Sequence, residues 1–300
     1  MNGIPGGRKV LLVAHTGRAE VQPIAIDLVR QLQAAGLGVV APALEAGDLS
    51  TTLEIEPLAA AGDSSQVPPE CEVVLVLGGD GTILRAAELA RAGNIPLLGV
   101  NLGHVGFLAE ATPSDLDEVV ASIVAKSWTV EERLALAARV ELDGEVVAHT
   151  WALNEVSIER AQRERMVEVR VEVDGRPLSR WSGDGVVVST PTGSTAYAFS
   201  AGGPVIWPAV QALLVVPIAA HALFARAIVL APSSKLVLEV RPGISGAVLW
   251  ADGRRTIALP DRARIAVEAS QPVLFARLHE SPFTDRLVAR FRLPVEGWRG

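Results

Sequence analysis

EVVLVLGGDGTIL, residues 72–84, is an apolar run that halts at two glycines and an aspartate and then resumes as a helix-forming segment. The run EVVLVL reads as a parallel strand buried on both faces, and Thr82 to Ala92 has helical composition. The loop between them, Gly78-Gly79-Asp80-Gly81-Thr82, therefore sits at the carboxyl end of a parallel strand, where open α/β sheets place ligands. Glycines let the backbone approach a phosphate, successive amide hydrogens form an anion-binding hollow, and the helix start adds partial positive charge. An aspartate repels phosphate, so Asp80 needs a reason to be there. It holds Mg²⁺, or it accepts a proton from an attacking hydroxyl. The bland reading is a glycine-rich turn in which Asp80 caps the helix. The loop is neither a GxGxxG fingerprint nor a Walker A loop.

Outward from this motif the alternation repeats. Lys9 to Ala14 (KVLLVA) is another buried strand, and Val21, Ala25, Leu28, Leu32 and Ala35 recur at helical spacing before Gly36 stops the helix. Gly38 to Ala41 and Pro96 to Val100 are further strands, and Ser114 with Asp117 resembles a capping box before Leu116, Val119, Val120 and Ile123. Residues 45–69 show no clear period and read as a long connection. Near Trp128 the character changes. Asp143-Gly144 and Asp174-Gly175 are hairpin dipeptides between apolar alternations. Arg176 to Trp181, Gly185 to Ser189, Lys235 to Val240, Ala247 to Trp250 and Arg264 to Glu268 continue the strand pattern with no convincing helix between them. The expected fold is an α/β domain with a parallel sheet over residues 1–129 and an all-β, sandwich-like domain over 130–275. The tail, 276–300, is apolar on one side and basic on the other over Pro282 to Arg292, and is expected to pack back on the first domain.

Bulk properties narrow the function. The chain has 300 residues, of which 49% are hydrophobic, and a net charge of −7, so no overall basic field draws nucleic acid. A single cysteine, Cys71, excludes internal disulfides and a cysteine-based zinc site, and fits a reducing, cytoplasmic location. The start lacks a signal-peptide layout. The longest apolar stretch, Ala212 to Ala225, is too short to span a bilayer and reads as buried sandwich strands, so no membrane partner is expected.

Two further segments carry candidate chemistry. Asn154-Glu155 interrupts the apolar run ALNEVSI, residues 152–158; strand neighbours face opposite sides, so at most one of the pair enters the core face. The pair suits a ribose or an amide, or else marks an exposed strand end. Asp184 precedes a buried strand, after which Thr190 to Tyr197 (TPTGSTAY) gathers hydroxyls around Gly193. Such a loop offers donors to phosphates and sugars with little bulk, and Tyr197, the only tyrosine, can stack on a flat ring. The five histidines have no metal-ligand spacing; His104 and His221 alone lie in loop-like contexts that could touch ligand.

Together, LGGDGTIL (77–84), NLGHVGFLAE (101–110), LNEV (153–156), Ser182 to Gly185 and TPTGSTAYAFSAGGP (190–204) resemble the NAD kinase family of bacterial, ATP- or polyphosphate-dependent type. The segments occur in the family's order and span nearly the whole chain. The resemblance implies an active site between the two domains and a homodimer or homotetramer. It implies transfer of a phosphoryl group from ATP, with polyphosphate as the alternative donor, to the 2′-hydroxyl of the adenosine ribose of NAD, with Mg²⁺ or another divalent cation. Asp80 is then the catalytic proton acceptor, and Gly78, Gly79, Gly81 and Thr82 hold donor phosphates. Asp80, Gly81, Arg85, Asn154, Glu155, Arg165, Asp184, Thr195, Ala196, Tyr197, Ala198, Phe199 and Ser200 are the implied NAD contacts; metal ligands stay unassigned. Asp252-Gly253-Arg254 stands where the family often has Asp-Gly-Gln, which leaves the role of Arg254 open and suggests an anionic ligand for it. The GGDGT motif is shared with lipid and sphingoid kinases, which remain an alternative, as does a non-catalytic NAD sensor.

Overall fold

The computed structural model describes residues 7–50, 53–58, 67–103, 106–162, 165–241, 246–279 and 282–295. The chain divides into two compact units, one made of Met1–Glu132 with Val273–Gly300, the other of Arg133–Pro272.

The first unit is α/β. It runs β1 (Lys9–Ala14), α1 (Val21–Ala34), β2 (Gly38–Pro42), α2 (Ala43–Leu49), β3 (Glu56–Leu58), β4 (Cys71–Leu77), α3 (Asp80–Gly93), β5 (Leu97–Val100) and α4 (Leu116–Ala125). The five strands are parallel in the order β3-β2-β1-β4-β5. Every β1 residue from Val10 to Ala14 and every β4 residue from Val73 to Leu77 is buried, as a sheet covered on both faces requires. Val10, Leu12, Val73, Leu75 and Leu98 share one core with α1, α2 and α4. On the opposite face, Ile83 of α3 stands directly over Gly99 of β5. The chain leaves β1 towards β2 but leaves β4 towards β5, so the strand order reverses between β1 and β4. That switch point is where an open α/β sheet forms a crevice at its carboxyl edge, and the Gly78 loop opens there.

Residues 45–69 hold more structure than their sequence suggests, since α2 fills 43–49 and β3 adds an edge strand. Both are shorter than the windows in which periodicity is readable. The capping box is also displaced: it joins Thr112 to Asp115, two residues before the Ser114–Asp117 pairing expected from sequence.

The second unit is a two-layered antiparallel sandwich. Its elements are β6 (Thr129–Leu142), whose first four residues belong to the first unit, β7 (Glu145–Ala152), β8 (Glu155–Arg160), β9 (Val167–Val173), β10 (Arg176–Gly183), β11 (Gly185–Ser189), α5 (Tyr197–Ser200), β12 (Leu213–Ile218), β13 (Ile228–Leu230), β14 (Leu236–Val240), β15 (Ala247–Ala251), β16 (Arg255–Leu259) and β17 (Arg264–Arg277), whose last residues also belong to the first unit. One layer pairs β10-β9-β14-β17; the other runs β13-β12-β11-β8-β15-β16. Val169, Val171, Leu236 and Ile265 of the first layer interdigitate with Val156, Ile158, Val188 and Leu249 of the second. Asp143-Gly144 and Asp174-Gly175 make the expected hairpin turns, with positive φ at all four residues.

Two expectations are corrected here. Of Ala212 to Ala225 only Leu213–Ile218 is a buried strand. Ala219 takes φ +46° and ends it, and Leu223 and Phe224 are exposed. The all-β reading also misses a helical interruption, a 3-10 turn at Thr192–Thr195 followed by α5. The chain ends with α6 (Phe283–Phe291), which returns to the first unit. Among the described residues no helix is long and apolar enough to cross a membrane.

Candidate functional site

In the first unit the Gly78 loop is pinned at its base, where the Gly78 amide donates to the Val100 carbonyl at 3.0 Å. Helix α3 starts with Gly79 as N-cap and Asp80 as its first residue, and no side chain caps it. The capping reading of Asp80 is thereby replaced. Its carboxylate accepts the backbone N–H of Phe107 at 3.1 Å and of Leu108 at 3.2 Å. A β-carbon at Gly106 would collide with that carboxylate, so only glycine lets the loop close on it. Two amide donors leave the remaining lone pairs of the carboxylate open for a hydroxyl. Gly79 and Gly81 are exposed, with open space where side chains would stand, and the first turn of a helix leaves amide hydrogens without internal partners. Thr82 is buried beneath Gly78.

Arg85, one turn further along α3, is already engaged. It forms an ion pair with buried Glu45 of α2 and donates to the Ala14 carbonyl at 2.9 Å, at the carboxyl end of β1. It ties α2, α3 and β1 together beside the switch point. His104 lies outside the described residues.

In the second unit a single carboxylate organises the candidate residues. Asp252 accepts the backbone amides of Leu153 at 3.0 Å and Asn154 at 2.7 Å, and a longer one from Glu155 at 3.4 Å. Arg255 pairs with it at 2.9 Å and lies over the Trp151 ring at 4.6 Å. Asp252 was considered from sequence only as part of the Asp-Gly-Arg departure; the signal that could have found it was that same departure, an Asp-Gly turn beside a buried strand.

On the far side, the Asn154 carbonyl accepts from the Thr190 amide at 2.9 Å and the Ser189 hydroxyl at 3.2 Å. The Thr190 hydroxyl donates to the Leu153 carbonyl at 2.6 Å and accepts the Gly193 amide at 3.1 Å. A β-carbon at Gly193 would collide with the Asn154 carbonyl, which explains a glycine amid the hydroxyls. The hydroxyls of Ser189, Thr190 and Ser194 are thus spent on building the loop. They do not present the array of free donors that the sequence suggests.

What the loop presents is Tyr197. Glu155, Ser157 and Glu159 alternate along the outer face of β8, and Ser157 donates to Glu159 at 2.5 Å. Both Asn154 and Glu155 are buried, so the expectation that at most one enters a buried face holds only for the sandwich core itself: the outer face is covered by the 190–206 segment. Burial drives the Glu155 carboxyl up to about 8, the Asp252 charge adds to the shift, and a hydrogen bond from the Tyr197 amide opposes it. Burial also raises Tyr197, with the charges of Glu159, Asp184 and Glu155 adding to the effect. Asp252 is raised by burial against the pull of its amide partners and Arg255. The negative charges of Glu159 and Asp184 act on Tyr197, and a cationic group placed beside it would be stabilised. Asp184 pairs with Arg160 at 3.0 Å.

Of the remaining candidates, Thr195, Ala196 and Tyr197 are partly exposed and Phe199 and Ser200 exposed. Ala198 is fully buried against Val187, Leu214 and Val216, so its side chain belongs to the core. Arg165 is exposed in the β8–β9 connection, and no described contact joins it to the Asn154–Tyr197 cluster. Among the described residues no group of three or more His, Cys, Asp or Glu side chains is arranged to hold a metal ion.

Comparison with known proteins finds matches along most of the chain. The model of the ATP-NAD kinase N-terminal domain matches residues 10–128, and that of the ATP-NAD kinase C-terminal domain matches 153–276. The chain is 56% identical over 298 residues to the NAD kinase of Leifsonia xyli subsp. xyli, covering 98% of this chain and 97% of that protein. It is 53% identical over 294 residues to NAD kinase 2 of Streptomyces avermitilis, with 98% and 97% covered. Its fold is similar to yeast NADH kinase complexed with NADH, at TM-score 0.88 and 21% identity over 98% of this chain and 90% of that one. It is also similar to an NAD kinase from Archaeoglobus fulgidus in complex with ATP, at TM-score 0.71 and 24% identity over 95% and 98%. With both units matched in order and relatives above half identity along their whole length, the chain belongs to the NAD kinase family.

Proposed function

We propose that this protein transfers the γ-phosphoryl group of ATP to the 2′-hydroxyl of the adenosine ribose of NAD. The observation that carries the reading is the Asp80 carboxylate, held by two backbone amides at the head of a glycine-lined helix start. Phosphoryl transfer asks a protein mainly for positioning and charge stabilisation. The open amides around Gly79 and Gly81 suit the donor phosphates, with Gly78 and Thr82 shaping the turn beneath them. Asp80 accepts a hydrogen bond from the 2′-hydroxyl and orients its oxygen for attack. An ordinary carboxylate is a weak base towards an alcohol, so the proton reaches Asp80 late, as the new P–O bond forms.

We assign the second unit the rest of NAD. The acidic surroundings of Tyr197, built by Glu155, Glu159 and Asp184, suit ribose hydroxyls and the cationic nicotinamide ring, and Tyr197 offers a stacking face. A divalent cation, when bound, would neutralise charge on the donor phosphates. A cytoplasmic setting fits the buried, unpaired Cys71. A homo-oligomer has exposed Trp207, Leu223 and Phe224 available for an interface. Purified protein given NAD, ATP and Mg²⁺, then polyphosphate in place of ATP, should form NADP with at least the first donor. Absence of NADP with either donor, or phosphorylation of diacylglycerol instead, overturns the assignment.

A further inference from the structure

The two amides that hold Asp80 are themselves gripped from the end of the chain. Arg286, on α6, donates to the Phe107 carbonyl at 2.9 Å, while the Phe107 amide donates to Asp80. Arg277, at the end of β17, donates to the Leu108 carbonyl at 3.3 Å, while the Leu108 amide donates to Asp80. Both guanidinium groups converge on one carboxylate of Glu110, at 2.9 Å each, and that carboxylate is 1% exposed. Arg277 also pairs with Glu131 at 2.6 Å, and the His279 amide adds a contact to Glu110 at 3.3 Å. From the apolar side, the Phe107 ring lies 5.8 Å from Phe283 and 6.0 Å from Phe291 of α6.

A buried arginine and a part-buried one sharing one buried carboxylate are a costly way to fasten a tail, because each charge must be at least partly desolvated. A helix that only covered apolar surface would need Phe283 and Phe291 and no more. The arginines instead take the two carbonyls whose residues supply the Asp80 donors. We propose that Arg286 and Arg277, clamped by Glu110, are positioning residues for the reaction: they fix the 107–108 backbone so that Asp80 keeps the orientation in which it receives the substrate hydroxyl. The inference rests on the role given to Asp80 above. Its consequence is that α6, remote in sequence from the glycine motif, controls turnover without contacting either substrate.

The test is a double-mutant cycle with Arg286→Met, Asp80→Asn and the combination, each read as kcat and as KM for NAD and for ATP. A misplacement of about 1 Å costs up to ~10²-fold in rate, so Arg286→Met should lose on the order of tenfold or more in kcat, with both KM values within about twofold. Arg286→Lys, which keeps a donor near the Phe107 carbonyl, should recover part of the loss. Hydrogen exchange at the Phe107 and Leu108 amides should speed up in Arg286→Met. In the Asp80→Asn background the same substitution should add less than about twofold, because the group it positions is already gone. Phe291→Leu loosens the loop without disturbing the ion cluster; should Arg286→Met not fold, it carries the cycle, with a smaller loss confined to kcat. A full, repeated loss in the Asp80→Asn background, or unchanged kcat despite faster exchange, overturns the proposal and leaves the role of Asp80 intact. Near-normal turnover by Asp80→Asn alone removes that role, and the proposal with it.

Discussion

Glu155 is a carboxylic acid held in a place that disfavours its charge, and this makes stability fall as pH rises. Its folded-state value is raised from 4.5 to about 8, first by burial and then by Asp252. Below about pH 4.5 both folded and unfolded chains carry the proton, and the site costs nothing. Between 4.5 and about 8 the unfolded chain releases its proton while the folded chain keeps it, so folding is progressively penalised. Above about 8 the penalty is complete. At about 1.36 kcal/mol per unit, the shift corresponds to an upper bound of about 5 kcal/mol. Glu155→Gln keeps the size and an acceptor for the Tyr197 amide but cannot ionise. Without nucleotide, the substituted protein should therefore melt up to about 8 °C above the parent at pH 9, taking about 1.6 °C per kcal/mol from about 2.1 cal/mol/K per residue over 300 residues. The gap should close on acidification and be nearly gone at pH 5. Melting curves from pH 5 to 9, followed by circular dichroism on both proteins, measure it directly. A difference that does not change with pH, or a variant less stable than the parent at pH 9, refutes the argument that Glu155 is held protonated by its surroundings.

Other consequences are as concrete. NAD carries a positive nicotinamide ring, so its binding should favour ionised Glu155 and release protons between pH 6 and 8; calorimetry in buffers of different ionisation enthalpy would show equal apparent heats if no proton moved. Gly193→Ala forces a methyl group against the Asn154 carbonyl and should cost about 1–3 kcal/mol of stability, the range for overpacking a tight interior, with weakened NAD binding in titrations; unchanged melting and affinity would show that the loop yields. Glu110→Gln removes the counter-charge from part-buried Arg286, while Arg277 keeps Glu131; it should destabilise the protein, by less than the about 3–5 kcal/mol expected when a buried ion pair loses one partner outright, as read from denaturant midpoints. NADPH, which presents the product's 2′-phosphate, should compete with NAD in initial-rate measurements.

The α/β fold was legible because buried parallel strands and amphipathic helices write strong local periods, as in Lys9–Ala14 and Val21–Ala34. The glycine loop was legible because its place between β4 and α3 follows from the same periods. What stayed hidden depends on contacts far apart in sequence. The partners of Asp80 are backbone amides of residues 107 and 108, which carry no side-chain signature. Asp252 reaches Asn154 across nearly a hundred residues, and the serines and threonines of residues 189–195 looked free because their carbonyl partners cannot be seen in composition. Apolarity misled at Leu223 and Phe224, since the same residues suit a buried strand and an exposed patch. Arg85 is an implied NAD contact by resemblance; its pairing with Glu45 was not legible, because that required knowing that α2 exists.

One comparison bears most directly on the chemistry: NADP formed in a single turnover by the parent protein and by Asp80→Asn, at saturating ATP, Mg²⁺ and NAD. The substituted protein should bind NAD with nearly unchanged affinity and form NADP slower by on the order of 10²-fold or more, the loss expected when the group that receives the proton is removed. NADP formation within a few-fold of the parent rate would contradict the assignment of Asp80 as the residue that orients and deprotonates the attacking hydroxyl.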